Sequence, residues 1–252
     1  PLSSIDSLLI RQYESWLLHK AGVTFNTSSF YMRKLRAAYN VAVERGFAEP
    51  RNPFKNVYTG KDKTAKRAVP LAIIKKVKQL DLSSQPRLEL ARDLFMFSFY
   101  TRGMAFIDMA YLKKVDLQSG RLIYRRHKTG QLLTVKLETC IQQIIRKYDG
   151  VSDTYLLPII VKDNNERAQY KRMQYRINHA LKQLSQIAGI ARPLTMYVAR
   201  HSWASIARTK NIPTSTISDG LGHNSEQTTR IYLASLDASG VDRANKRILD
   251  EL

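Results

Sequence analysis

A mainly α-helical fold with one small antiparallel β-sheet, divided into two domains, is what this sequence predicts. Apolar residues recur at helical spacing through most of the chain, and one stretch, residues 121–137, switches to strand-like alternation. A basic segment broken by Asn52-Pro53 and Gly60 separates a short helical region from a longer one.

The elements follow in order. Leu8, Leu9, Tyr13, Trp16 and Leu17 share a helical face over residues 5–20. Tyr31, Leu35, Ala38, Tyr39, Ala42 and Val43 do the same over 27–45, with Gly46 as the stop and Arg33, Lys34 and Arg36 on the other side. Residues 1–60 therefore read as a small helical domain with one basic face, and 61–69 as a linker. Lys61, Lys63, Lys66 and Arg67 crowd that linker against a single acid, Asp62, a composition suited to lying along a phosphate backbone. The second domain, 70–252, opens at Val69-Pro70, with helices over 70–80, 86–100 and 104–112. Leu94, Phe95, Phe97 and Phe99 mark the second of these as buried. Leu122, Ile123 and Tyr124 lead to a turn at Thr129-Gly130, and Leu132, Leu133, Val135 and Leu137 return, which predicts a β-hairpin. Helices follow over 138–148, 166–188, 197–210, 214–221 and 226–232. Such a domain is α+β and not a doubly wound parallel sheet.

Charge narrows the function. Lys and Arg number 41 against 21 Asp and Glu, a formal net charge of +20, which favours a polyanionic partner through counterion release. A hydrophobic content of 44% is enough to build real cores, so this is no disordered basic tail. The lone cysteine, Cys140, cannot close an internal disulfide, and a reducing cytoplasm fits it best. No apolar run approaches membrane-spanning length, and no signal-peptide pattern opens the chain. The chain begins at Pro1 and not at methionine, which leaves room for an upstream segment. No metal-ligand cluster and no glycine-rich phosphate loop is evident, so neither metal nor other cofactor is expected.

The chemistry-bearing residues lie in five fragments. Ala199-Arg200-His201-Ser202-Trp203, Leu221-Gly222-His223 and Arg230-Ile231-Tyr232-Leu233 supply a guanidinium, an imidazole and a phenol in that order. Thr101-Arg102-Gly103 and the hairpin turn Arg125-Arg126-His127-Lys128-Thr129-Gly130 add further cations upstream. Arginine grips a phosphate as a planar, permanently charged fork, and a phenol held beside it can attack phosphorus. Arg102 follows a buried aromatic helix directly, which places it at the wall of a cleft.

In that order and spacing the fragments resemble the tyrosine recombinases, the phage-integrase family, and the resemblance covers nearly the whole chain. It implies two domains closing as a C-shaped clamp around DNA, with residues 1–60 as the core-binding domain and 70–252 as the catalytic one. It implies Arg102 and Arg200 on the non-bridging oxygens, Lys128 as the acid for the leaving 5′ oxygen, His223 as a donor to the phosphate, and Tyr232 as nucleophile. Asp108 resembles a family acid that orients the first arginine. Arg33, Lys34, Arg36, Lys61, Lys63, Lys66, Arg67, Arg125 and Arg126 are the expected DNA contacts. Tyr197 stands where the family most often has histidine. A phenol there can donate to a phosphate oxygen but accepts a proton poorly at neutral pH.

The implied activity is site-specific recombination through a 3′-phosphotyrosine and a Holliday junction, without metal or ATP. The implied partners are double-stranded DNA sites, three further copies of the chain on paired sites (a monomer without DNA), and an accessory DNA-bending protein. The setting would be the cytoplasm, at the nucleoid. Residues 233–252 carry three basic and four acidic residues. Val241, Ala244, Ile248 and Leu252 share a helical face there, so 234–252 reads as a tail docking on a neighbouring subunit. A type IB topoisomerase, or a non-catalytic DNA-binding regulator on the same fold, are the alternatives. Arg102, Lys128, Arg200, His223 and Tyr232 together favour the recombinase, since a pure binder has no use for the phenol.

Overall fold

The computed structural model describes residues 2–60 and 68–223, together with Ser225, Thr229 and Leu233. The chain divides into two compact units, residues 1–64 and 65–252. The linker lysines Lys61, Lys63 and Lys66, Arg67, Tyr232 and the tail 234–252 lie outside the described residues.

The first unit is built on α1 (Ser7–His19) and α2 (Phe25–Glu44). Asp6 caps α1 by accepting the Leu9 N–H at 2.7 Å, and Thr24 caps α2 from the same position. Its core is narrow: Ile10 and Leu17 of α1 meet Met32 and Tyr39 of α2 under Phe54. Each pair is spaced by two helical turns, so one stripe per helix is covered. Leu8, Leu9 and Trp16, which share the apolar pattern of α1, are exposed. Two helices and a loop cannot cover a wider face.

The second unit holds α3 (Leu71–Gln79), α4 (Pro86–Tyr100), α5 (Phe106–Tyr111), α6 (Thr139–Lys147), α7 (Glu166–Ile187), α8 (Met196–Thr209) and α9 (Thr214–Leu221). The expected helix over 226–232 lies outside the described residues except for Thr229, which is helical, as is Leu233 just past its end. α4 is the axis of the unit, packed against α3, α6, α7 and α8. Leu94, Phe95 and Phe97 are fully buried on it, each side chain contributing about 1.5–3 kcal/mol to folding. Pro86 opens the helix at its first turn, where a missing N–H costs nothing. A buried charge network ties α4 to α6: Asp93 accepts Lys147 Nζ at 2.7 Å, Tyr148 Oη at 2.8 Å and Arg92 Nε at 2.8 Å.

The sheet is three-stranded and antiparallel in the order β1-β2-β3, with β1 Leu117–Gln118, β2 Arg121–Arg125 and β3 Leu132–Lys136. The hairpin register pairs Tyr124 with Leu133 and Arg125 with Leu132. Leu122, Tyr124 and Val135 point into the core, while Arg121 and Arg125 face out. The two-residue β1 is too short to show an alternating pattern in the sequence. A mainly helical unit with a small antiparallel sheet is what the sequence predicted, and the structure has it.

Candidate active site

The site is built where α4 ends against the start of α8. α4 closes in a Schellman turn: Gly103 N–H donates to the Ser98 carbonyl at 2.7 Å and Arg102 N–H to that of Phe99 at 3.2 Å. The left-handed position of that turn usually belongs to glycine, yet Arg102 occupies it with φ 62°. Among the described residues, the other non-glycine positions at positive φ are three asparagines and a serine, so an arginine there is unusual. The left-handed backbone costs about 1 kcal/mol for a residue with a Cβ. It also lifts the side chain off the helix so that its Cδ passes beside Gly220 of α9. Among the described residues no acceptor pairs with the Arg102 guanidinium.

Gly103, also left-handed at φ 75°, lets α8 come into contact: a Cβ built on it would lie 2.6 Å from Arg200 Cα. The buried Arg200 then donates from Nη1 to the Gly103 carbonyl at 2.8 Å and from Nη2 to the Leu221 carbonyl at 2.6 Å. Its Nη2 also lies 3.1 Å from His223 Nε2. Two arginines from distant parts of the chain are thereby set on adjoining turns of backbone.

His223 follows Gly222, which caps α9 in the left-handed region at φ 63°. Burial, with the charges of Arg200, Arg126 and Lys128, drives the imidazole pKa down to about 4. The ring is therefore neutral near pH 7. Arginine only donates, so Nε2 accepts and the proton sits on Nδ1, which donates to Thr229 Oγ1 at 2.7 Å. A ring arranged this way cannot donate from Nε2 to a phosphate at the same time. The donor role expected for His223 requires a proton on Nε2, gained either by protonation or by a change of tautomer in which Thr229 Oγ1 donates to Nδ1.

Tyr232 lies outside the described residues; near it in sequence, Thr229 and Leu233 are described. Thr229 is buried against His223. Leu233 is buried with Ala204, Ala207, Ile217 and Leu221, and its carbonyl accepts Arg208 Nη1 at 2.6 Å.

Tyr197 sits in the first turn of α8, half-exposed, with its ring edge-on to His201 at 4.4 Å between centroids. With Arg200, Phe106 and Thr195 it lines a cavity of ≈ 250 Å³. Lys128 lies in the exposed hairpin turn, where Gly130 N–H donates to the Arg126 carbonyl at 2.7 Å. Arg125 is exposed, with Nη1 on the Gly130 carbonyl at 3.2 Å.

Arg126 is placed otherwise than a DNA contact would be. It is 9% exposed, with Nη1 donating to the Gly222 carbonyl and Nε 4.0 Å from Asp108 Oδ2. Asp108, buried in the first turn of α5, does not pair with Arg102 but accepts the His127 N–H at 2.8 Å. Burial pushes its carboxyl above the usual carboxylate range, against the pull of that N–H and of Arg126. The expected orientation of the first arginine by Asp108 is thus replaced by a hold on the hairpin. Asp108 is the acid nearest in sequence to Arg102, and only the folded chain brings the hairpin nearer. Arg33, Lys34 and Arg36 lie on α2; Lys34 and Arg36 are exposed, and Lys34 Nζ stands 5.8 Å from the Phe30 ring. Among the described residues, no three His, Cys, Asp or Glu side chains could hold a metal ion, and no helix is long and apolar enough to cross a membrane.

Sequence reasoning missed Gly103, Gly222 and Thr229 as parts of the site. Each lies in or beside one of the motif fragments, Thr229 next to Arg230, but the contacts that matter are with other segments.

Comparison with known proteins bears on the family and the fold. The tyrosine recombinase XerA of Thermococcus onnurineus is 26% identical over 168 residues, which is 66% of this chain and 58% of XerA, so the match spans less than two thirds of that relative. A lambda integrase (residues 75–356) dimer bound to a COC′ core site has the same fold: TM-score 0.69, 16% identity, covering 92% of this chain and 81% of that one. The XerH recombinase in a post-cleavage complex with palindromic difH also shares it: TM-score 0.71, 17% identity, covering 96% and 72%. The phage integrase SAM-like domain profile matches residues 1–63, and the phage integrase family profile matches residues 65–239. With the greater part of its length inside that profile, the chain belongs to the phage integrase family, the tyrosine recombinases.

Proposed function

We propose that this recombinase cleaves and rejoins DNA at specific sites through a 3′-phosphotyrosine on Tyr232. The observation that supports this best is the joint between α4 and α8, where Arg200 is fixed on the Gly103 carbonyl directly after Arg102. Two guanidinium groups so placed suit the two non-bridging oxygens of one phosphodiester, where negative charge is borne in the transition state.

In the cleavage step the Tyr232 phenolic oxygen bonds to phosphorus and the P–O5′ bond breaks. The O5′ leaving group takes a proton from the Lys128 ammonium, and the phenolic proton passes to solvent or a neighbouring acceptor. Attack by a 5′-hydroxyl of another strand reverses the step and releases the phenol. One ester replaces another, so neither ATP nor a metal ion is required. Tyr197 donates its hydroxyl to a phosphate oxygen from the first turn of α8.

Residues 1–60 cover one side of the duplex and 70–252 the other, joined by the basic linker 61–69, as a clamp. Arg33, Lys34, Arg36, Arg125 and the linker cations contact the backbone. Four copies assemble on two sites, exchange strands through a Holliday junction and link through residues 234–252, with an accessory DNA-bending protein where a site demands it. The work is done at the nucleoid.

A nicked suicide substrate tests the reading. The wild type should form a covalent adduct at a DNA 3′ end in excess EDTA, and Tyr232→Phe should form none. An adduct with Tyr232→Phe, or one that needs added Mg²⁺, overturns it.

A further inference from the structure

We propose that Arg126 is a positioning residue for strand cleavage, clamping the turn that carries Lys128 between Asp108 and the Gly222 carbonyl. The proposal rests on the reading of Lys128 as the acid for the leaving oxygen.

A buried guanidinium is costly unless its charge is matched. Arg126 is buried with its nearest carboxylate oxygen 4.0 Å away and a neutral carbonyl as its hydrogen-bond partner. The hairpin does not need this arginine to close, since the ladder already pairs Arg125 with Leu132, and Arg126 N–H reaches the Gln131 carbonyl at 2.8 Å. What the side chain adds is location.

One end of it reaches Gly222, the residue before His223. β3 arrives at the same point, because a Cβ on Gly222 would lie 2.7 Å from Leu133 Cδ1. The other end faces Asp108, which holds the next residue of the turn through the His127 N–H. A single carboxylate thus grips two consecutive residues, and Lys128 comes directly after them. Lys128 is exposed and, among the described residues, its ammonium has no hydrogen bond or ion pair. Its place therefore depends on its backbone, and the backbone depends on Arg126 and Asp108.

The test compares Arg126→Gln, Lys128→Ala and the double variant on nicked substrates with oxygen or sulfur at the bridging 5′ position. Sulfur leaves without a proton, so a defect in proton delivery vanishes on that substrate. Arg126→Gln should slow cleavage of the oxygen substrate about tenfold to a hundredfold, and recover to near wild-type rate on sulfur. It should add little to Lys128→Ala on oxygen, with DNA affinity unchanged. Equal slowing on both substrates, or defects that multiply in the double variant, overturns the proposal. Failure of sulfur to rescue Lys128→Ala defeats the general-acid reading instead. The double variant then decides alone: coupled defects support the clamp and independent ones overturn it. If Arg126→Gln does not fold, Arg126→Lys, which keeps the charge but not the fork, takes its place in the same comparison.

Discussion

Gly103 and Arg200 touch through their backbones: there is no room for a side chain on the glycine, and its carbonyl takes the arginine's Nη1 at 2.8 Å. The end of one helix is thus seated on the start of another, and the site inherits its dimensions from that joint. Gly103→Ala should separate them. A left-handed alanine costs about 1 kcal/mol, and the overlap adds about 1–3 kcal/mol. Urea denaturation should show the loss in stability, and cleavage should fall even where the variant remains folded. A variant of wild-type stability would mean that the joint is looser than described.

The strain at Arg102 predicts an exchange of stability for function. Arg102→Gly relaxes the left-handed backbone and should stabilise the fold by up to about 1 kcal/mol, while cleavage drops by orders of magnitude. Arg102→Ala removes the same guanidinium but keeps the Cβ, so it should bring no such gain. Thermal melting of the two variants side by side tests this, and equal melting temperatures would count against it.

His223 should titrate near pH 4 in the free protein, with its proton on Nδ1. The folded pKa lies below the ordinary histidine value of about 6.5. The ring's contribution to stability is therefore intact above pH 6.5, and is lost as pH falls towards 4, where the unfolded chain already holds the proton. Thr229→Val should disturb the Nδ1 proton in ¹⁵N spectra. A duplex carrying the scissile phosphate should draw Arg200 away and raise the ring's pKa by more than one unit. An unmoved titration on binding DNA would remove His223 from phosphate contact.

Asp93 belongs to the scaffold and not to the chemistry. Burial pushes its carboxyl up, but the hydrogen bonds from Lys147, Tyr148 and Arg92 outweigh that and leave it below the usual range. A depressed folded pKa means stability that is present above the ordinary carboxylate range and fades as pH falls through the folded value. Asp93→Asn should cost about 2 kcal/mol, measured by denaturation at pH 7. It should leave cleavage per folded molecule unchanged.

Tyr197→Phe keeps the ring against His201 and removes only the hydroxyl. If the phenol donates to phosphate, cleavage should slow about tenfold with DNA affinity unchanged. An unchanged rate would leave Tyr197 as packing at the head of α8.

The fold was largely legible because long helices and one hairpin announce themselves by period. The aromatic run of α4 and the alternation around Thr129-Gly130 each appear where the sequence places them. Burial was harder to read. The apolar residues of α1 do not say which stripe is covered, so Leu8, Leu9 and Trp16 look like core and are surface. Arg125 and Arg126 are adjacent and chemically identical, yet the first faces out and the second in. Asp108 serves the hairpin because the fold brings α5 beneath it, a fact about tertiary distance that no spacing encodes. The two-residue β1 left no periodic trace at all.

The anchoring of Leu233 bears on the residue proposed as nucleophile, its neighbour in the chain. Burial of the leucine contributes about 2 kcal/mol, and the bond from Arg208 to its carbonyl about 1–2 kcal/mol more. A segment held by roughly 3–4 kcal/mol leaves its seat in about one molecule in several hundred. If Tyr232 is the nucleophile, as proposed, this fastening lies one residue after it in the chain, and Leu233→Ala should change the rate of cleavage of a nicked substrate without touching a catalytic group.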